Sequence, residues 1–272
     1  MQIAFSGKLG SGKSTVCAIL KEKYGYEIYS TGTIQRKVAE DMGITTLELN
    51  KRMSENPELD HIIDDAVVKI SRERAGDKLI YDSRMAWHFA ENTFKVYMYV
   101  DPTVAAKRVM LADRGDVEKY KSVEEAREML LARSVEENKR FKDIYSVDNF
   151  DYNNYDLIID STSATPEQIA EMIVEEAEKY EAAPFEETKM MLSPYVVFPT
   201  KPYGTDDGDN ISIALHNGLH LATVGHGKLA ALQIGKANFA EARLVNDNVD
   251  VDFELAKEYE QNGEFQYETK SI

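Results

Sequence analysis

One cysteine, Cys17, stands in a chain of 272 residues, so no internal disulfide can form, and a reducing, cytoplasmic setting is expected. No run approaches the roughly 20 consecutive apolar positions that a membrane helix requires, and no membrane partner is expected. Met1-Gln2-Ile3-Ala4-Phe5 carries no basic leader, so no export signal is expected. Basic residues are in deficit. Up to Pro184 there are 34 acidic against 25 basic residues, and after it 14 against 7, for a net charge of −16. Both parts repel a phosphate backbone on average, which argues against nucleic-acid binding; a small anionic ligand needs only a local cluster of arginines. The sole tryptophan, Trp87, reads as packing. Internal repeats and low-complexity tracts are lacking, and oligomeric state has no signature.

What is present is an alternation. Short apolar runs at residues 2–6, 27–30, 79–82, 96–100 and 157–160 read as strands. Between them lie helical patterns, the first over residues 13–23 with an apolar stripe at Val16, Ile19 and Leu20. Helix starts are marked by capping-box spacing at Thr45/Glu48 and Ser122/Glu125. Asn56-Pro57, Asp101-Pro102 and Thr165-Pro166 each set a capping side chain before a proline. Strands alternating with capped helices predict an α/β fold, a parallel five-stranded sheet flanked by helices. The character changes after Tyr180. A linker-like stretch over 181–187 leads to strand-like pieces at 195–198, 211–214 and 240–245 and a helix near 228–234. This reads as two units: residues 1–184, and a small α+β unit over 185–272.

Gly7-Lys8-Leu9-Gly10-Ser11-Gly12-Lys13-Ser14 fits G-x-x-x-x-G-K-[ST] at every fixed position, after a predicted strand and at the start of a predicted helix. Glycines let successive N–H groups converge on phosphate oxygens, and the helix N-terminus adds positive potential. The expected nucleotide cradle is Gly7, Lys8, Gly10, Ser11, Gly12, Lys13, Ser14 and Thr15. Lys13 reaches the β- and γ-phosphates, and Ser14 ligates Mg²⁺. The loop thus predicts a nucleoside triphosphate and Mg²⁺ as cofactors, but switch and motor proteins share it, so the rest of the chain decides the chemistry.

A phosphoryl donor and acceptor crowd negative charge, and the dominant need is positive charge around the transferred group. Arg133 and Arg140, seven apart on a predicted helix, share a face with Glu137 and can close as a lid; on spacing alone they equally suit an exposed salt-bridge ladder. Arg36 lies one turn into its helix, near an N-terminus suited to an acceptor phosphate. Arg84 follows the end of a strand, where ligands of doubly wound sheets bind, and Asp82 at that strand end is placed to hold Mg²⁺ through water. Asp60 and Asp64, four apart, face either a nucleoside or solvent. Arg108 and Arg114 are candidate additions to the lid.

Several of these segments resemble the cytidylate kinase branch of the nucleoside monophosphate kinases over residues 1 to about 180. Ser30-Thr31-Gly32-Thr33-Ile34-Gln35-Arg36 is similar to the acceptor segment S-x-G-[DT]-x-x-R. Asn56-Pro57-Glu58-Leu59-Asp60-His61-Ile62-Ile63-Asp64 resembles the acidic helix, and Asp82-Ser83-Arg84 the end of the third strand. Arg133, Glu137, Arg140, Phe141, Ile144 and Tyr145 fall in register with the lid. The resemblance implies transfer of phosphate from ATP to a small nucleotide, (d)CMP to (d)CDP. It implies catalytic roles for Lys13, Arg133 and Arg140, and acceptor contacts from Gly32, Arg36, Asp60, Asp64, Asp82 and Arg84. Cytidine is implied by the resemblance alone.

Residues 193–246 resemble the ParB/sulfiredoxin-like fold, in which a D-G-H-H-R turn at a helix start binds nucleotide phosphates. Gly225-His226-Gly227-Lys228 stands at that position and is expected to offer an anion site. His216, His220 and His226 are a metal option by composition. Two other functions stay open: phosphorylation of another small acceptor, and a nucleotide-responsive binding module whose C-terminal part captures a partner.

Overall fold

The computed structural model describes residues 1–55, 60–111, 120–202, 204–216, 218–245 and 254. The elements in order are β1 (Gln2–Gly7), α1 (Lys13–Tyr24), β2 (Glu27–Ser30), α2 (Thr31–Asp41), α3 (Thr46–Glu55), α4 (Asp60–Glu73) and β3 (Leu79–Asp82). Next come α5 (Ala86–Phe89), β4 (Thr93–Tyr99), α6 (Pro102–Leu111), α7 (Val123–Tyr145), β5 (Leu157–Asp160) and α8 (Pro166–Ala182). The rest are β6 (Lys189–Leu192), β7 (Val197–Pro199), β8 (Ile211–His216), β9 (Leu219–Val224), α9 (His226–Ile234) and β10 (Ala240–Leu244).

The period-2 alternation of the strands sorts their side chains onto two faces. Ile3, Phe5, Ile80, Val96, Met98, Leu157 and Ile159 pack with Val16 and Leu20 of α1 and Ile169 and Ile173 of α8. Ala4, Leu79, Tyr81, Tyr97 and Ile158 face the other way, onto Ile34 and Val38 of α2 and Ile63 and Val67 of α4. Both faces are covered, as an all-parallel sheet requires. A third cluster joins Val104, Ala105 and Val109 of α6 to Ala126 and Leu130 of α7.

The five predicted strands are parallel, in the order β2-β3-β1-β4-β5. The sheet then continues. β6 adds to β5 in parallel, β10 pairs antiparallel with β6, and β8, β9 and β7 follow, giving ten strands among the described residues. The boundary expected at 184/185 falls between α8 and β6, and the sheet runs across it. The predicted strand at 195–198 is shorter than expected: residues 194–196 form a 3₁₀ turn and β7 begins at Val197. β6 falls between the linker-like stretch over 181–187 and the strand expected at 195–198, where no element was expected.

Capping follows the sequence closely. Thr165 accepts from Gln168 N–H while the Gln168 side chain accepts from Thr165 N–H, a full capping box. At α7 the reciprocal arm reaches one residue further: Ser122 accepts from Glu125 N–H, but the Glu125 carboxylate accepts from Lys121 N–H. Asn56-Pro57 lies outside the described residues.

Candidate active site

Parallel strands end together, so β1, β3 and β4 deliver their following loops to one edge of the sheet. The loop after β1 is the glycine motif. Gly10 has φ +77°, and a Cβ there would sit 2.9 Å from the Ala105 Cβ of α6, so the loop lies flat on that helix. Lys8 N–H donates to Met98 O at the end of β4 (2.9 Å), which pins the loop to the sheet. Gly12, also left-handed, opens α1 with no side-chain cap, leaving N-terminal amides of the helix directed at the cradle. Ser11 Oγ is buried and without a hydrogen-bond partner among the described residues.

Lys13 is ion-paired with Asp82 at the end of β3. Burial pushes the Lys13 amine down to about 8, and the Arg84 charge acts in the same direction. Arg84, two residues past Asp82, is ion-paired with Glu137 of α7. Its guanidinium is held below the usual range by burial and then by the Arg133 charge. Lys13, Asp82, Arg84, Glu137 and Arg133 are therefore brought near one another from α1, β3, the loop after β3, and α7. Of these, Arg84 and Glu137 line a polar cleft, together with Ser6, Gly7, Asn138 and Phe141.

The acceptor-side residues are placed as follows. Ser30 caps α2, and its hydroxyl lies 3.0 Å from that of Thr33, to which Arg36 donates (3.2 Å). Gly32 lies against the Arg36 guanidinium: a Cβ there would be 3.8 Å from Nη1. Arg36 is exposed. Asp60 is the first residue of α4. Asp64, one turn on, accepts from the Tyr145 hydroxyl (2.7 Å), which links α4 to the far end of α7. Arg133 and Arg140 are on exposed positions of α7, with Glu137 between them turned to Arg84. The segment 56–59 and Arg114 lie outside the described residues.

Two side chains are placed, and two expectations change. The Arg108 guanidinium donates to Ser161 O (2.7 Å), Ser161 Oγ (3.2 Å) and Ser11 O (3.5 Å), bracing the glycine loop against the segment after β5. The Lys8 side chain lies over the Tyr99 ring, 3.9 Å from its centroid, while its N–H holds the loop to Met98 O. The turn at Gly225 is no open anion site, because Asp207 already sits on it. Its Oδ1 accepts from Gly225 N–H (2.9 Å) and His226 N–H (2.8 Å), and its Oδ2 lies 2.8 Å from His226 Nδ1. No spacing rule connects residue 207 to 226, so this pairing is not legible in the sequence. Nor do the histidines gather. His226 Nε2 accepts from Thr200 N–H, His220 pairs with the Tyr152 hydroxyl, and among the described residues no three His, Cys, Asp or Glu side chains form a metal cluster. Trp87 packs as expected, buried, its indole donating to Asn149 Oδ1 (2.7 Å).

The donors suited to Mg²⁺ are the Ser14 hydroxyl, exposed at the start of α1, and the Asp82 carboxylate. Two hard oxygen groups beside a phosphate cradle fit a cation that keeps water and binds through phosphates rather than in an all-protein cage.

Residues 2–163 match the model of the cytidylate kinase-like family. A cytidylate kinase of Natronomonas pharaonis is 37% identical over 175 residues, covering 64% of this chain and 87% of that protein. One from Thermoplasma volcanium is 31% identical over 178 residues, 64% of this chain and 90% of that protein. An S-adenosylmethionine-dependent nucleotide dehydratase of Lacinutrix mariniflava is 35% identical over 184 residues, 66% of this chain but 37% of that protein. The chain thus spans little more than a third of the dehydratase.

Proposed function

The chain belongs to the cytidylate kinase-like family, and on that premise we propose that it transfers the γ-phosphoryl group of ATP to a nucleoside monophosphate, (d)CMP first among the candidates. The observation that carries the reading is that Lys13, Arg84 and Arg133 lie close enough for their charges to act on one another, Arg84 on Lys13 and Arg133 on Arg84. A nucleotide acceptor is supported by the relatives' names, two for cytidylate phosphorylation and one for nucleotide dehydration.

In the reaction an oxygen of the acceptor phosphate attacks the γ-phosphorus in line, and the bond from the γ-phosphorus to the β–γ bridging oxygen breaks, leaving ADP. The protein contributes position and charge, with no covalent intermediate. Loop amides and Lys13 hold the β- and γ-phosphates. A triphosphate competes with Asp82 for the Lys13 amine and with Glu137 for Arg84, so both ion pairs act as placeholders in the nucleotide-free protein. Arg84 and Arg36 meet the acceptor phosphate; Arg133 and Arg140 approach from α7. Ser14 and Asp82 are the groups that would hold Mg²⁺, which would supply neutralisation of the phosphate charge.

An acceptor panel with ADP release as readout tests this. CMP or dCMP is expected to stimulate release, and Lys13→Ala to lower it by about 10³-fold. ADP release indifferent to every monophosphate, or undiminished in the Lys13 variant, would overturn the reading.

A further inference from the structure

An apolar chamber of about 430 Å³ adjoins the phosphate cleft and has no part in the reaction above. Its size is that of a small-molecule site. Three parts of the chain build it: Lys8 and Leu9 of the glycine loop, Leu130 and Val135 of α7, and Leu215 at the β8–β9 turn, with Phe150 between. The family match ends at residue 163, so the Leu215 wall belongs to this chain's own C-terminal part.

Two observations point to a ligand. The first is exposed apolar surface at the chamber. Leu131, Val135, Phe150 and Leu215 leave 37%, 61%, 39% and 39% of their surface in water. A single exposed apolar side chain needs no explanation, but four around one cavity mark a surface made to be covered. The second is Lys8. Its amine rests on the Tyr99 ring and, among the described residues, makes no ion pair. The acids that attract it are committed elsewhere: Asp101 accepts from Thr103 and Val104 N–H, and Asp160 from Thr162 and Ser193 N–H. A cation at the wall of an apolar chamber, with its neighbouring carboxylates already satisfied, suits an incoming anionic group.

We propose that this chamber is a second binding site, for a small amphipathic anion. An aliphatic or aromatic body lies against Leu130, Val135, Phe150 and Leu215, and one acidic group lies on Lys8. Because the walls come from the glycine loop, α7 and the C-terminal hairpin, an occupant couples the position of α7 to the C-terminal part of the chain.

The test uses the full chain without ATP or acceptor, so it stands or falls independently of the kinase reading. The probe is 8-anilinonaphthalene-1-sulfonate, an aromatic body bearing one sulfonate, followed by fluorescence. Saturation at one dye per chain is expected. Leu215→Asp, Val135→Asp and Lys8→Met are each expected to weaken binding about tenfold or more, and Lys8→Arg to keep most of it. Val135 is largely exposed, so its variant folds even if the Leu215 variant does not; far-UV circular dichroism checks both. Absence of saturable binding by the folded wild-type chain would overturn the proposal. So would binding that a folded Val135→Asp protein leaves unchanged.

Discussion

Lys13 carries its charge into a site where burial works against it, and that conflict is the most informative feature at the scale of one residue. The amine, lowered to about 8, is the phosphate-gripping group only when protonated. Phosphate binding raises its pKa, so the sign follows directly. Below about pH 8 the free protein already holds the proton and ATP affinity is flat. Above it each complex takes up a proton, and affinity falls by as much as tenfold per pH unit. Calorimetric titration with ATP at about pH 8.5, in two buffers of different ionisation enthalpy, is expected to show net proton uptake. The uptake should persist in Lys8→Met, the other lysine that burial lowers to about 8, and vanish in Lys13→Met. Affinity flat from neutral pH to about 9 would contradict the assignment. Arg84, held low by burial and by Arg133, is the partner charge in the same cleft. Both residues were legible in the sequence: one from a loop motif, the other from its place after a strand. Their ion pairs with Asp82 and Glu137 were not, because each joins residues more than fifty positions apart.

At the scale of elements, the seam between α8 and β6 is held by a charge inside the protein. The Glu176 side chain of α8 is 1% exposed and ion-paired with Lys179 (2.7 Å) and with Lys189 of β6 (2.8 Å). Removing one partner of a buried pair strands the other charge, which costs more than the pair contributes. Lys189→Met is therefore expected to destabilise the chain by about 3 kcal/mol in urea unfolding, and adding Glu176→Leu to recover much of it. A single variant as stable as wild type would show that Lys179 alone satisfies Glu176. Most helices were legible because their start signals are local: the Thr165 box closes over three residues. β6 was not, since Lys189-Met190-Met191-Leu192 has no clear alternation and becomes a strand only by pairing with β5.

For the whole molecule, the decisive feature is that the cores of the two parts are one. A single buried cluster runs from Ile34 and Ile63 through Tyr97 and Ile158 to Ile213, Leu229 and Ala240. Removing residues 185–272 would bare the β5 edge and its apolar side chains, a surface that pairs with other chains. A fragment of residues 1–184 is expected to melt at least about 10 °C below the full chain and to aggregate at micromolar concentration. The full chain should unfold in one transition. A monodisperse fragment of unchanged melting temperature would show that the sheet is divisible at β5. The sequence by itself determined the glycine loop between β1 and α1, the five parallel strands and most helix starts, because each rests on the conformational preferences of residues a few positions apart. Tertiary structure alone decided that the sheet continues through β6, that Asp207 fills the turn at Gly225, and that Leu215 and the glycine loop line one cavity. Those arrangements join segments whose spacing in the chain carries no period, and only packing brings them together.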